Sequence, residues 1–244
     1  MGGLTAERLP GAEPQELGIG GFIPLTSLDY PGELAAVVFC QGCPWRCRYC
    51  HNAHLIPWQA KGDISWSGIL SFLRRRVGLL DALVFSGGEP TLQQGLGQAM
   101  AQVQAMGFKV GLHSAGIYPE RLARVLEYTD WIGLDVKATP DAYEQITGVP
   151  GSGERAWASV EMVLRSGLAY ELRTTIHPWL FSPEDLGQLA ARLAKLGATR
   201  LVLQPCVNQR SLDPGLRAAP SLALPPYRLA VEQAGLEVDI SEAP

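Results

Sequence analysis

The chain has 244 residues, of which 47% are hydrophobic and 18% charged, with a formal net charge of −4. That length suits one larger α/β domain or two small ones, and the apolar share is enough for a sizeable core. The slightly acidic balance provides no global basic field for nucleic acid, and no apolar run approaches the ~18 to 20 residues that span a membrane.

In chain order, the first 21 residues are rich in Gly, Pro and Glu and lack the charged-then-apolar pattern of a secretory leader. Residues 1–18 are expected as a flexible arm ahead of one domain over 19–244, in a cytoplasmic protein whose thiols stay reduced. A short buried strand is predicted over 35–39, and a helix over 66–77 with Ile69, Leu70, Leu73 and Val77 on one face. The arginine run 74–76 falls within it and reads as a solvated face, with docking of an acidic partner as the other use. A strand over 82–85 leads to a helix over 94–106 carrying Leu96, Met100 and Val103 inward. A strand over 108–112 follows, then a helix opened by Pro119 with Leu122, Val125 and Leu126 inward.

Further on, a strand over 131–134 precedes a turn-rich stretch over 139–152 with room for one helical turn. A helix over 155–165, a strand over 170–176 and a helix capped by Ser182 come next, the last with Leu186, Leu189, Leu193 and Leu196 as its stripe and Gly197 as its stop. A strand over 201–203, a helix over 226–234 and an apolar segment over 236–240 complete the chain. This alternation implies about six parallel strands with right-handed crossovers and helices outside, a partial (β/α) barrel. Chemistry in such folds gathers at the C-terminal ends of the strands.

The residues with chemical character stand at those ends. Four of the five cysteines, Cys40, Cys43, Cys47 and Cys50, fall within eleven residues after the first strand, with Tyr49 just before the last. Thiolates so close together can converge on zinc or an iron–sulfur centre. A zinc site could use all four, although its two pairs lie nearer each other than in a zinc ribbon or finger; disulfides fit poorly with an odd cysteine count. Ser86-Gly-Gly-Glu-Pro90 follows the second strand, where paired glycines allow a sharp turn and close approach to a ligand. His113 and Ser114 follow the third. Asp135 and Lys137 follow the fourth and share one side by the two-residue period, as a ligand pair or as a surface ion pair. Arg173 and His177 mark the fifth, and Gln204-Pro-Cys206 the sixth, with Cys206 as a buried small hydrophobe.

The spacing Cys43-x3-Cys47-x2-Cys50 with its aromatic resembles the signature of radical S-adenosylmethionine (SAM) enzymes. The resemblance implies a single-domain partial (β/α)6 barrel of that type. It also implies a [4Fe–4S] cluster held by Cys43, Cys47 and Cys50, whose open iron chelates SAM, so that one electron releases a 5′-deoxyadenosyl radical. Tyr49, Gly87, Gly88, Glu89, Ser114, Asp135, Lys137 and Arg173 then match cofactor-binding positions: the Gly-Gly-Glu backbone for the SAM amino group, Lys137 and Arg173 for its carboxylate, Asp135 for a cation or ribose hydroxyls. No side chain beyond these is assigned a catalytic role. The glycyl-radical activating enzymes carry an acid and a hydroxyl residue for a monovalent cation at 113–114, so His113 breaks that pattern. It stands either in that site or as a satisfied structural histidine.

Within the family, segments 22–32 and 113–122 resemble the activating proteins of anaerobic ribonucleoside-triphosphate reductase. That implies a glycyl-radical enzyme as protein substrate, with an electron donor such as flavodoxin or ferredoxin, and neither nucleic acid nor membrane as partner. The lack of a lid-like insertion agrees with a protein loop entering an open mouth. Activation of another glycyl-radical enzyme such as pyruvate formate-lyase, a small-molecule enzyme such as 7-carboxy-7-deazaguanine synthase, and a non-catalytic zinc module are the alternatives.

Overall fold

The structure, a computed structural model, describes residues 17–58 and 64–241. Of the arm expected over 1–18, only the last two residues fall within them. Leu17 is buried there, and the Gly18 N–H donates to Gln93 Oε1 at 3.1 Å.

Among the described residues one sheet contains eight strands in chain order. β1 (Ile19–Thr26) runs antiparallel to β2 (Ala35–Cys40). Then β3 (Ala82–Gly87), β4 (Lys109–Ser114), β5 (Trp131–Asp135), β6 (Ala169–Ile176), β7 (Arg200–Pro205) and β8 (Glu237–Ile240) follow, each parallel to the one before. The sheet is thus the six-stranded parallel unit expected, β2 to β7, extended by one strand at each edge. β1 escaped the sequence reading because Gly20, Gly21 and Pro24 lower its strand propensity, a cost that an edge strand tolerates.

Helices α1 (Trp66–Arg74), α2 (Leu96–Ala105), α3 (Pro119–Val125), α4 (Tyr143–Thr147), α5 (Ser152–Ser166), α6 (Pro183–Lys195) and α7 (Leu224–Gln233) connect the strands. α6 shows why they form where they do. The Ser182 hydroxyl accepts the Asp185 N–H while the Asp185 carboxylate accepts the Ser182 N–H, and Pro183 sits in the first turn. Its Leu186, Leu189 and Leu193 are fully buried, each worth about 2 kcal/mol. α1 departs from expectation by stopping at Arg74. The chain then leaves the helix through Gly78 at φ 77°, and Val77 is 60% exposed rather than on the core face.

The alternation along each strand builds two interiors. Val38, Leu83, Phe85, Leu112, Leu134 and Leu172 face the helices in one large apolar core. The opposite, inner face begins with a smaller cluster of Tyr30, Ala35, Val37, Ala82, Val84 and Trp131. Its rows become polar toward the C-terminal ends: His113 is level with Gly133, which is level with Glu171, and Asp135 is level with Arg173. The turn between β1 and β2 packs beneath. Tyr30 stacks on Trp131 with ring centroids 5.1 Å apart, in space left by Gly111, where a Cβ would stand 3.0 Å from the Tyr30 ring.

Candidate active site

Cys40 ends β2 and is completely buried among apolar side chains. Beyond it the chain turns at Gly42, with φ 97°, and Cys43, Cys47 and Cys50 lie half-buried on the loop as free thiols. Three structures hold this loop. On one side the Gly88 N–H donates to Cys40 O and the Glu89 N–H to Gly42 O, both at 2.9 Å. Neither glycine could carry a side chain: a Cβ on Gly87 would lie 2.5 Å from Cys40 N, and one on Gly88 2.3 Å from Gly42 O. The close approach that the paired glycines permit is therefore to the cysteine loop. On a second side the Arg46 and Arg48 N–H groups donate to Thr147 O and Ile146 O of α4 at 3.0 Å, and Trp45 packs edge-on against Tyr143. On the third, Arg48 pairs with Asp213 at 2.9 Å.

Glu89 and Ser114 are occupied with each other. The Glu89 carboxylate is fully buried and accepts from Thr91 N, Thr91 Oγ1, Ser114 Oγ and Ala115 N at 2.6–3.1 Å. Burial pushes its pKa up and those donors oppose the rise. Together they brace the ends of β3 and β4, and the Ser114 hydroxyl also accepts the Gly116 N–H. Ser114 was expected among the cofactor contacts through its hydroxyl and Glu89 through its backbone; the Ser114 hydroxyl and the Glu89 carboxylate are engaged in this strut.

Asp135 and Lys137 do share a side. Lys137 Nζ donates to Asp135 Oδ2 at 2.9 Å, a pair between a buried ammonium, 7% exposed, and a carboxylate that still reaches solvent. Burial opposes the lysine's charge, but the Asp135 carboxylate, aided by Tyr49 and Cys47, holds it well above the usual lysine range. Tyr143, which no sequence pattern singled out, accepts the Lys137 N–H at 2.9 Å and donates toward Asp135 O at 3.4 Å. The Tyr49 ring lies 5.8 Å from Lys137 Nζ.

Arg173 starts level with Asp135 but turns away from the strand ends. Its guanidinium occupies the space over Gly133, where a Cβ would lie 2.6 Å from the central carbon, and reaches the Trp131 ring at 4.9 Å. It pairs with Glu171 at 3.1 Å. His113 completes this layer: Nε2–H donates to Asp29 O at 2.8 Å and Nδ1 accepts from Ser86 Oγ at 3.2 Å. Burial and the adjacent Arg173 push its pKa down to about 3, so it is neutral. Of its two readings, the structure chooses the satisfied structural histidine. His177 is likewise built in, bonded to Leu216 O and the Trp179 N–H. Cys206, half-buried, has its sulfur 3.3 Å from His51 Nε2, a neighbour that strand-by-strand reading could not reveal.

The donor set discriminates between metals. Among the described residues no three or more His, Cys, Asp or Glu side chains are placed to hold a single ion. A structural zinc needs four donors within about 2.3 Å of one point, and Cys40 is sunk in the core. A four-iron cluster instead spreads its thiolates over different irons, which suits three half-buried cysteines along one loop. Burial keeps the thiols protonated in the absence of metal, at about 12 for Cys43 and about 11 for Cys47, with Cys50 also raised. One further observation fits an added group: the Tyr49 hydroxyl is buried beside this loop without a hydrogen-bond partner.

Comparison with known proteins agrees. A family model described as the radical SAM superfamily matches residues 37–193. A protein of Methanocaldococcus jannaschii provisionally named a glycyl-radical enzyme activating enzyme is 29% identical over 70% of this chain and 73% of its own length. The pyruvate formate-lyase-activating enzyme of Clostridium pasteurianum is 32% identical over 67% of this chain and 70% of its own. Among solved structures, SuiB of Streptococcus suis bound to S-adenosylmethionine superposes on 84% of this chain with a TM-score of 0.61 and 12% identity. The chain spans about half of that protein, 48%.

Proposed function

The chain belongs to the radical SAM superfamily, and from that premise we propose that it activates a glycyl-radical enzyme by removing a hydrogen atom from a backbone glycine. A [4Fe–4S] cluster and SAM are its cofactors, and together they supply a 5′-deoxyadenosyl radical when the cluster is reduced.

The observation that carries the reading is the division among the cysteines: Cys40 is sealed in the core while Cys43, Cys47 and Cys50 remain on a braced loop. Three thiolates on a four-iron cluster leave one iron open. Around that loop the chain's residues have distinct tasks. Lys137, kept charged by Asp135, offers an ammonium to the SAM carboxylate. Because the Gly88 and Glu89 N–H groups are spent on the cysteine loop, the turn offers carbonyl oxygen, the acceptor that the SAM ammonium needs. Glycine suits the role of hydrogen donor because its radical is delocalised over two flanking amides and no side chain blocks approach.

Anaerobic ribonucleotide reductase is the first candidate partner, on the resemblance of segments 22–32 and 113–122. Pyruvate formate-lyase is the second, and the Clostridium pasteurianum relative favours it. Within segment 22–32, Tyr30 packs on Trp131 while Ile23, Leu25 and Leu28 are exposed. A flavodoxin or ferredoxin is the proposed source of the electron. The test is an anaerobic mixture of reconstituted protein, SAM and reductant with each partner, read by electron paramagnetic resonance. A glycyl doublet, with deuterium from the labelled α-carbon appearing in deoxyadenosine, supports the reading and names the partner. Cleavage of SAM with no radical on either enzyme would defeat it.

A further inference from the structure

Tyr49 is the residue in the site whose chemistry is incomplete. Its ring and hydroxyl are buried, at 5% exposure, yet the hydroxyl has no hydrogen-bond partner among the described residues. A buried hydroxyl without a partner forfeits the hydrogen bond that water gave it, so such atoms are rare and call for an explanation. Lys137 lies 5.8 Å from the ring centre, and neither it, Cys47, Asp135 nor Tyr143 comes within hydrogen-bond reach of the hydroxyl. Lys137, as an ammonium, has no lone pair to accept with. Asp135 Oδ2 takes the Lys137 ammonium, and the Tyr143 hydroxyl accepts from Lys137 N and donates toward Asp135 O. Tyr49 stands between Cys47 and Cys50 on the loop, so the acceptor that a bound cluster would bring to this segment is sulfur, a strong acceptor as metal-bound thiolate or sulfide.

We infer that the Tyr49 hydroxyl is a built-in hydrogen-bond donor to the sulfur of the cluster, either the Cys47 thiolate or an adjacent sulfide, so that it raises the cluster's reduction potential and locks the cluster into the loop. The inference rests on the radical SAM reading and adds a role for this chain's hydroxyl that an aromatic ring alone cannot supply. A hydrogen bond to sulfur stabilises the more negative, reduced cluster. The acceptor exists only once the metal is bound, so the hydroxyl is a burden to the empty protein and an asset to the loaded one.

The experiment is Tyr49→Phe, which deletes one oxygen and keeps the ring. Melting temperatures are measured for the cluster-free and the reconstituted protein without SAM, iron content is matched, and the potential is read by a titration followed by electron paramagnetic resonance. The expected result is a change of sign: the cluster-free variant melts at or above the wild type, the loaded variant melts below it, and its potential moves to a more negative value. A melting change of the same sign in both forms, or an unmoved potential, overturns the inference while leaving the family reading intact. A sign change that appears only after SAM is added also overturns it, since the acceptor is then SAM. Wild-type protein that takes up no iron would sink both readings together.

Discussion

Two layers of the inner face, one row apart on the same strands, are built from similar residues and have opposite character. The floor layer, His113, Arg173, Glu171 and Trp131, is closed upon itself. The guanidinium pairs with Glu171 and lies over Trp131, and both nitrogens of the neutral imidazole are bonded. The mouth layer, Asp135, Lys137 and Tyr49 beneath the cysteine loop, has one ion pair, one unpartnered hydroxyl and three protonated thiols. Charge alone does not separate them, since each layer contains one cation and one carboxylate. What separates them is spare bonding capacity, and a ligand can be held only where capacity remains. A cavity of about 360 Å³ lined by Glu171, Arg200 and Glu237 lies at the opposite ends of β6 to β8.

The sharpest way to break this comparison is to remove the cation from each layer and measure SAM binding. Lys137→Ala should weaken SAM by about 30-fold or more, the scale of truncating one side of a desolvated charge pair. Arg173→Met should leave affinity within about twofold. Equal losses in isothermal titration would mean that the floor also touches ligand, as the sequence resemblance implied for Arg173.

Stability should rank the same two variants in reverse. Arg173→Met leaves Glu171, whose side chain is 17% exposed, without its partner, and should cost about 3 kcal/mol in chemical denaturation. Lys137→Ala leaves Asp135, whose side chain is 38% exposed and can rehydrate, so about 1 kcal/mol is expected. A larger loss for Lys137→Ala would show that Asp135 is less open to water than its exposure indicates.

The last effect belongs to His113 and shows only as a pH dependence. Its folded pKa of about 3 lies below the ordinary value of 6.5, so between those pH values the unfolded chain binds the extra proton. The stability it contributes is complete above pH 6.5 and is lost as the pH falls, at about 1.4 kcal/mol per pH unit. His113→Gln should flatten the decline between pH 6.5 and 5 by that slope. Parallel curves for the two proteins would place His113 in contact with water and open the floor.

The local signals in the chain were strong enough to specify most of the architecture. Alternating apolar runs located the strands from β2 to β7, Ser182 and Pro183 located the start of α6, and the cysteine spacing with its aromatic indicated the superfamily. These are short-range properties: periodicity, capping and spacing act within a few residues, so they survive reading in one dimension. What a side chain does at a strand end is decided by residues far away in sequence. Glycines that looked ready for a ligand are filled by the backbone of the cysteine loop, some 45 residues earlier. Ser114 is absorbed by Glu89, His113 by Asp29 and Ser86, and Arg173 by Glu171 and the gap over Gly133. Only the fold determines which of these polar groups find partners, because each pairing depends on register between strands; the hydroxyl of Tyr49, left without one, became visible only in three dimensions.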